Sequence, residues 1–587
     1  MMNLPILGIS GYFHDSSAAL IKGDRVLACA EEERFTRIKH DSSFPSHAID
    51  FCLSYAGLHP SQISYVAFYE KPFLKLDRIF EGIISGYPLT MKSFSQSMRN
   101  VGRKDLMIYD DLNKNYSIPN TKVRFLQHHF SHAAGAFFTS GFKDSAILTV
   151  DGVGEYATMT ISLGRAGKIE PCCEMRFPDS VGLLYSVFTA FCGFEVNEGE
   201  YKLMGMSSYG EPKFKEQIYK MVKIYDDGSI LIDRDYINYH LNPSKPFSKK
   251  FISVFGPPRG ERSDFNLIKN RSDQQFANVA ASIQEVVEEI ILKMAIHARQ
   301  LTGCKNLCLS GGVALNGKAN QRIRREAKYD GMYVQPAAGD SGASIGAALG
   351  LASILTELKC PPKVYSAYSG YSNDPTQVEA FFNVHESGKT KTYQKTDDLV
   401  KVAADKLSRG QVGGWVRGRA EFGPRALGNR SILADPSRHE MKDTVNAKIK
   451  FRELFRPFAP SALDFYASEA FEIGPLQLND PLEYMLQVVK VKADYQAKLP
   501  AITHIDGTAR LQVVTKKRNP DYYSLIRAFG DLTGVYCLLN TSFNLKGEPI
   551  VNSHIDAYKT FLSCGLDFLV CENTLITKKY ESTKRLS

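Results

Sequence analysis

His128 and His132 carry the first hint of chemistry in this chain. They lie in Gln127-His128-His129-Phe130-Ser131-His132-Ala133-Ala134, after a short β-like run (Lys122 to Leu126) and at the head of an Ala-rich helical pattern. Four residues apart, the two imidazoles project from one helix face and can chelate one metal ion. A surface or core histidine pair is the bland alternative, and two carboxylates weigh against it. Asp151 ends a buried strand in Leu148-Thr149-Val150-Asp151-Gly152, and Asp340 stands between an apolar strand (Met332 to Val334) and an Ala/Gly-rich helix. Two His and two Asp make a mixed nitrogen and oxygen donor set with room for a substrate oxygen.

A second kind of chemistry belongs to the basic residues near the C-terminus. Arg425 and Arg430 stand in Gly418-Arg419-Ala420-Glu421-Phe422-Gly423-Pro424-Arg425-Ala426-Leu427-Gly428-Asn429-Arg430-Ser431, and Lys450, Arg452 and Arg456 in Lys450-Phe451-Arg452-Glu453-Leu454-Phe455-Arg456-Pro457-Phe458. Interleaved phenylalanines and backbone-fixing prolines suit a rigid pocket better than a solvated face. Guanidinium forks match phosphate or carboxylate oxygens bidentately. Gly312-Val313-Ala314-Leu315-Asn316-Gly317-Lys318-Ala319 narrowly misses a P-loop, because Ala319 lacks the magnesium-binding hydroxyl. It reads instead as a Gly311-Gly312 turn that lets the backbone approach a nucleotide, with Asn316 as a polar contact. Gly342-Ala343-Ser344-Ile345-Gly346 mimics a nucleophile elbow but lies within a helical pattern, so Ser344 is read as packing. The charge-dense run Glu31 to His40 reads as a solvated face.

Positioning these groups needs an α/β frame. Ile6 to Ala30 reads as three strands joined by tight turns, and the pattern recurs at Ile147 to Cys172. At an offset of 141 residues Gly11 falls on Gly152, Gly23 on Gly164 and Ser10 on Asp151. A repeated strand, glycine turn and second strand is the pattern of a duplicated ribonuclease H-like domain whose halves close over a nucleotide. A long amphipathic helix (Gln274 to Leu301) leads into a βαβα run ending at Asp340, the region from Tyr69 to Ser117 reads as helical, and residues 212–273 as polar and irregular. Around Thr356 to Asn373 the pattern breaks into Pro, Lys, Ser and Gly, which places a boundary there. The domains expected are therefore 1–358 and 374–587.

With 587 residues, 44% apolar and 23% charged, the chain has the composition of an ordinary globular protein with more than one core. The net charge of +9 is spread without a block of like charges, so neither a nucleic-acid partner nor a membrane is expected. Neither a secretory leader nor a membrane-spanning run of about 18 apolar residues is expected. The 11 cysteines form no CxxC pair. Reduced thiols and a cytoplasmic location are expected.

Ten stretches taken together resemble the NodU/TobZ/CmcH-type O-carbamoyltransferases: GISGYFHDSSAAL, EEERFTRIKHD, HHFSHAA, EGEYKLMGMSSYG, LSGGVALNGKAN, GDSGASIGAALG, GRAEFGPRALGNRS, KFRELFRPFAPS, HIDGTARLQ and LNTSFNLKGEPI. They run through essentially the whole chain in order. The resemblance implies an actin-like ATPase superfold, TsaD-like, in the N-terminal domain and a YrdC-like α/β domain after it. It implies an ATP-dependent enzyme that turns carbamoyl phosphate and ATP into carbamoyladenylate and passes the carbamoyl group to a hydroxyl of a small-molecule acceptor in secondary metabolism. Carried over residue by residue, it implies metal ligation, by iron(II), at His128, His132, Asp151 and Asp340. Arg425, Arg430, Lys450, Arg452, Arg456, Arg510, Asn540 and Ser542 would hold carbamoyl phosphate and ATP with its magnesium. His14, Lys39, Glu200, Lys202, Gly311, Gly312 and Asn316 would line the transfer site, with His14, Lys39 and Arg510 catalytic and His14 the base. A homodimer is compatible with it. A sugar-kinase-like ATPase with a regulatory C-terminal domain, and a carbamoyl transferase acting on tRNA, are the competing readings.

Overall fold

The computed structural model describes residues 4–87, 90, 107–241, 246–260, 265, 273–358, 364–386, 388–450, 456, 458–477 and 479–578. The chain divides into two compact units. The first comprises Met1–Thr36, His40–Tyr365 and Leu476–Pro481, and the second Arg37–Lys39, Ser366–Pro475 and Leu482–Ser587. Each unit thus borrows a short segment from the other's stretch of sequence, which the linear division at 358 and 374 does not contain.

Two five-stranded sheets build the first unit. One consists of β1 (Pro5–Ser10), β2 (Ser17–Lys22), β3 (Arg25–Glu31), β4 (Tyr65–Phe68) and β5 (Val123–Phe125), in the order β3-β2-β1-β4-β5. In the other are β6 (Asp144–Val150), β7 (Ala157–Arg165), β8 (Lys168–Arg176), β11 (Asn306–Ser310) and β12 (Gly331–Val334), in the order β12-β11-β6-β7-β8. Read from the antiparallel edge, both are the same sheet: an antiparallel meander of three strands, then two strands added in parallel beside the first. The unit is a duplicated ribonuclease H-like fold. Strands β1 and β6 are buried along nearly their whole length, as strands covered on both faces must be.

Each half ends in a helix that crosses to its counterpart's sheet. The helix His128–Ser140 follows β5 yet packs on the second sheet, where Thr139 Oγ1 lies 2.9 Å from the Tyr333 hydroxyl and Gly164 leaves room for the Phe137 ring. The helix Asp340–Leu355 follows β12 yet packs on the first sheet, where Ser17 Oγ donates to the Ser341 carbonyl at 2.7 Å and meets Ser344 Oγ at 2.9 Å. Ser344 is thus a packing residue. The two helices meet through glycine: a Cβ on Gly346 would stand 1.7 Å from the Ser131 carbonyl oxygen. Gly346→Ala is therefore expected to push the helices apart, costing about 1–3 kcal/mol or more as overpacking does. A lowered thermal midpoint together with reduced metal occupancy would register it.

Between β8 and β11 the chain forms a hairpin, β9 (Val222–Ile224) with β10 (Ile230–Ile232), a short helix Lys249–Phe255, and the long helix Asp273–Thr302. The stretch 212–273 is therefore less irregular than its composition suggests, its elements being too short to show a period. Of the segment expected to be helical before Ser117, Pro72–Ser85 and Ile108–Tyr116 are helices, while 88–89 and 91–106 lie outside the described residues. Ten of the cysteines fall among the described residues, and all ten are unpaired thiols.

The second unit is α/β, built on one mixed sheet of eight strands. These are β13 (Thr390–Thr392), β14 (Gly413–Val416), β15 (Arg430–Ala434), β16 (Ala459–Leu463), β19 (Gln512–Val514), β20 (Cys537–Ser542), β21 (Phe568–Cys571) and β22 (Thr574–Thr577), in the order β13-β22-β21-β14-β15-β20-β16-β19. A two-stranded ribbon, β17 (Val489–Lys490) with β18 (Thr508–Ala509), stands apart. Helices Thr396–Ser408 and Pro520–Thr533 cover the large sheet, closing a core of Leu399, Leu407, Trp415, Leu463, Leu525, Phe529 and Phe568.

Candidate active site

The two crossing helices and the turn after β6 bring His128, His132, Asp151 and Asp340 together, with one donor atom from each lying within 4.8 Å of all the others. His132 Nε2 is central, 3.1 Å from His128 Nε2, 3.2 Å from Asp151 Oδ2 and 3.5 Å from Asp340 Oδ1. Asp151 Oδ2 lies 3.0 Å from His128 Nε2, and Asp340 Oδ1 lies 3.7 Å from it. Donors held about 2.0–2.2 Å from one ion are separated by slightly more than 3 Å, so the four donors are spaced as one ion would need them. The duplication explains the origin of the set: the histidine pair and Asp340 open equivalent helices, one from each half.

Second contacts orient each donor. Ser310 Oγ lies 3.3 Å from His132 Nδ1, and Asp151 Oδ1 accepts from Gly152 N at 2.7 Å and Gly312 N at 3.3 Å, which leaves Oδ2 for the centre. Gly311 has φ +89°, and a Cβ there would strike the Val150 carbonyl. The Gly-Gly turn thus permits a close approach of backbone to the Asp151 strand. Glu155, three residues beyond the Asp151-Gly152 turn, accepts from His128 N at 3.0 and 3.1 Å and from Lys71 N at 2.8 Å. It serves as the missing N-terminal cap of the histidine helix.

Burial opposes charge on the imidazoles, but hydrogen bonds to Asp151 and Asp340 and the charges of both outweigh it and raise His132 to about 9; Asp340 and Asp151 likewise raise His128. Both carboxylates resist the upward push of burial, Asp151 through the histidines' hydrogen bonds and Asp340 through the charges of His14 and His128, and fall below the usual range. The two buried carboxylates thus favour positive charge between them. His129, neighbour to both ligands, is pushed far below the usual value by burial and by the charge of His128, and it stays neutral.

His14 sits in the turn after β1, the counterpart of the Asp151 turn. Its Nδ1 lies 2.9 Å from Asp15 Oδ2 and its Nε2 3.7 Å from Asp340 Oδ2. Burial works against its charge, yet Asp340, Asp15 and Asp151 together raise it to about 9. Asn316 caps the helix Gly317–Glu326 by accepting from Ala319 N at 3.1 Å, and it pairs with Gln284. Glu200 accepts from Ser186 Oγ at 2.9 Å and Asn197 N at 3.1 Å, and Lys202 Nζ stands 6.0 Å from the Tyr201 ring centre. Lys39 is counted with the second unit, in the short segment Arg37–Lys39. The charged run Glu31 to His40 is not a solvated face. Glu31, Glu32 and Arg34 are buried, with Arg34 Nε donating to Glu31 Oε2 at 2.7 Å and Glu32 accepting from Ala48 N at 2.9 Å at the start of the helix Ser46–Ala56. Internal pairing removes the need for water.

In the second unit strand register gathers the anion-binding candidates along one edge of the sheet. Val416 pairs with Arg430, Ser431 with Ser542, Asn540 with Ala459, and Ser461 with Gln512. The end of β14, the start of β15, the end of β20 and the starts of β16 and β19 thus share that edge, which places Arg456 and Arg510 there. Lys450 Nζ donates to the Ser542 carbonyl at 2.5 Å and Oγ at 3.2 Å, and to Asn544 Oδ1 at 2.7 Å. Asn544 is a partner that the sequence reading omitted. Asn540 Nδ2 donates to Ser461 Oγ at 2.9 Å and Gln512 Oε1 at 3.2 Å, while its Oδ1 is buried without a partner. Arg425 is part-buried in a loop that Glu421 organises by accepting from Leu427 N and Asn429 N.

Arg430 departs from the expectation: it is fully buried, and its guanidinium donates to the carbonyls of Asn552, Gly418, Asn429 and Tyr371. It braces the loops that surround it. Arg452 lies outside the described residues.

A duplicated ribonuclease H-like unit with a candidate His/Asp metal site, followed by an α/β unit, makes this a two-unit α/β protein of the actin-like superfold. Family comparison agrees: the carbamoyltransferase N-terminus matches residues 5–349 and the carbamoyltransferase C-terminus residues 404–578. The chain belongs to the carbamoyltransferase family and is a carbamoyltransferase. It is 40% identical to an uncharacterised protein of Synechocystis over 98% of this chain and 96% of that protein. Against the nodulation protein NolNO of Sinorhizobium fredii it is 36% identical over 97% of this chain and 80% of that one, and against NolO of Bradyrhizobium diazoefficiens 39% identical over 77% and 79%. Among solved structures, HypF of T. kodakarensis aligns over 60% of this chain and 48% of its own, at 14% identity and a TM-score of 0.30, too low to bear on this chain's activity. Among the described residues no helix is long and apolar enough to cross a membrane.

Proposed function

We propose that the second unit makes carbamoyladenylate from carbamoyl phosphate and ATP, and that the carbamoyl group passes to a hydroxyl of a small molecule at the His/Asp centre of the first. The observation that carries this reading is the convergence of His128, His132, Asp151 and Asp340 from both halves of the duplication. In the first half-reaction water cleaves carbamoyl phosphate to carbamate and phosphate, a carbamate oxygen attacks the α-phosphorus of ATP, and pyrophosphate departs. Arg425, Arg456 and Arg510, with Lys450 fixing the Ser542–Asn544 loop, would spread the phosphate charge, and magnesium would accompany ATP. The unpartnered Asn540 Oδ1 suits the carbamoyl amide, which is a hydrogen-bond donor.

In the second half-reaction the acceptor oxygen attacks the carbamoyl carbon, the bond to the adenylate oxygen breaks, and AMP leaves. A divalent ion, iron(II) by family resemblance, would supply Lewis acidity toward the carbamoyl or phosphoryl oxygen when held by the four donors. His14 Nε2 would take the acceptor's proton. Of the three carboxylates that raise His14, Asp340 and Asp151 would face the ion, and a bound cation would offset their part of that upward push. Gly311, Gly312 and Asn316, with Glu200 and Lys202, would line the adenylate side.

Incubated with carbamoyl phosphate and ATP alone, the protein is expected to yield AMP-containing product, pyrophosphate and phosphate. ADP as the sole nucleotide product would replace this reading with that of a kinase-like ATPase, and carbamoylation of tRNA in place of small hydroxyl compounds would reassign the acceptor.

A further inference from the structure

Three observations around the turn after β1 point beyond the metal centre. First, Asp15 has each carboxylate oxygen taken by a different imidazole: Oδ2 lies 2.9 Å from His14 Nδ1, and Oδ1 lies 2.7 Å from His40 Nδ1. Second, the turn is stitched to the segment that carries His40, because Tyr12 N donates to the Ser42 carbonyl at 3.0 Å and Ser16 N to the Asp41 carbonyl at 2.9 Å. His40 is itself fixed through its backbone N–H, which donates to Glu33 Oε2 at 2.8 Å. Third, Tyr12, Asp15 and His40 all hold left-handed backbone, at φ +71°, +52° and +55°. Non-glycine residues stay in that region only where their surroundings over-determine them, and such strain clusters at functional sites.

We propose that Asp15, braced by His40, is a positioning residue for carbamoyl transfer. It accepts a hydrogen bond from His14 Nδ1–H, which fixes the ring so that Nε2 faces the Asp340 side of the metal centre as the nitrogen that takes a proton. The proposal rests on the role given to His14 above and adds to it what aims that ring. An imidazole with two accessible orientations presents the wrong nitrogen part of the time, and a misplacement of about 1 Å near the reacting atoms can cost about 10²-fold in rate.

The variants are chosen to fit the backbone. Glycine accepts positive φ, so Asp15→Gly and His40→Gly remove the side chains without backbone strain, and asparagine tolerates it too, so His40→Asn keeps a donor near the place of Nδ1. Transfer is assayed on iron(II)-loaded full-length protein with carbamoyl phosphate, ATP and a pool of amino sugars, polyols and nucleosides, scored by the mass gain of one carbamoyl group. Asp15→Gly is expected to lower transfer kcat about 10²-fold with acceptor KM within about threefold, pyrophosphate release and metal content being unchanged. His40→Gly should show a smaller loss, most of it restored in His40→Asn.

Crystal structures of the wild type and Asp15→Gly give a readout independent of turnover: the His14 ring should turn away from Asp340. An unmoved ring, or unchanged transfer in Asp15→Gly, overturns the positioning role. So does a fall in metal stoichiometry in Asp15→Gly, which would make Asp15, Glu33 and His40, whose donor atoms also lie within 4.8 Å of one another, a cation site instead. A wild type that releases pyrophosphate but carbamoylates nothing in the pool overturns the acceptor reading, a result distinct from one in which both wild type and variant transfer.

Discussion

His132→Ala loses its metal and its transfer activity while still making carbamoyladenylate; that is the expected result with the largest effect on the first unit. His132 is the donor nearest the middle of the set, within 3.5 Å of all three other ligands. Loss of even an outer partner of a metal ligand lowers affinity by about 10 to 100-fold, so loss of this ligand should do at least that. The imidazole is almost fully buried between two carboxylates, and its removal leaves them less compensated, so circular dichroism must accompany the assay. Pyrophosphate release assigned to the second unit should persist, and carbamoyladenylate supplied from outside should not restore transfer. Full metal occupancy with normal transfer in folded protein would remove His132 from the site.

How the site is assembled was legible in part. The i, i+4 histidines, the carboxylate ending β6 and the carboxylate opening a helix are local patterns, and the strand repeat at an offset of 141 residues follows the duplicated sheet order. Spacing alone did not reveal that the two terminal helices exchange sheets, which is what carries His128 and His132 to Asp340. That exchange depends on van der Waals contact at Gly8, Gly164 and Gly346, positions whose smallness has no local signature in a single sequence.

Charge was read less well than periodicity. Glu31 to His40 looked solvated because its partners are distant in sequence or carried by the backbone: His47, the amide of Ala48, and Asp15. Arg430 looked like an anion ligand because glycine and asparagine surround it, yet those residues leave carbonyls turned inward that only a five-donor side chain could satisfy. Asp15 lies within GISGYFHDSSAAL and Glu155 just beyond the Asp151 turn, but their role is to hold other residues, and such a role appears only once the partners are in place. The borrowed segments Arg37–Lys39 and Leu476–Pro481 follow no composition change at all. Arg37 donates to the carbonyls of Pro549 at 2.7 Å and Ile550 at 2.6 Å, contacts that span more than five hundred residues of chain.

The largest effect expected in the second unit is that of Arg510→Ala, in which pyrophosphate release falls while metal stoichiometry stays at the wild-type value. Arg510 lies between β18 and β19, two residues before Gln512, whose Oε1 accepts from Ser461 Oγ at 2.6 Å and from Asn540 Nδ2. These bonds tie the starts of β16 and β19 to β20, fixing the backbone beside the arginine at the sheet edge that Ser542 and Arg456 share. A guanidinium directed at the triphosphate acts most strongly as charge moves onto the departing pyrophosphate, and removing one such preorganised donor costs about 10²–10³ in kcat. Lysine keeps the charge but loses the planar fork, so Arg510→Lys should recover only part of the rate. With the metal donors all in the first unit, the variant should retain full metal content, and carbamoyladenylate added directly should be transferred to an acceptor at the wild-type rate. Normal pyrophosphate release would place adenylation elsewhere, and coincident loss of metal from folded protein would mean that the two half-reactions are not divided between the units.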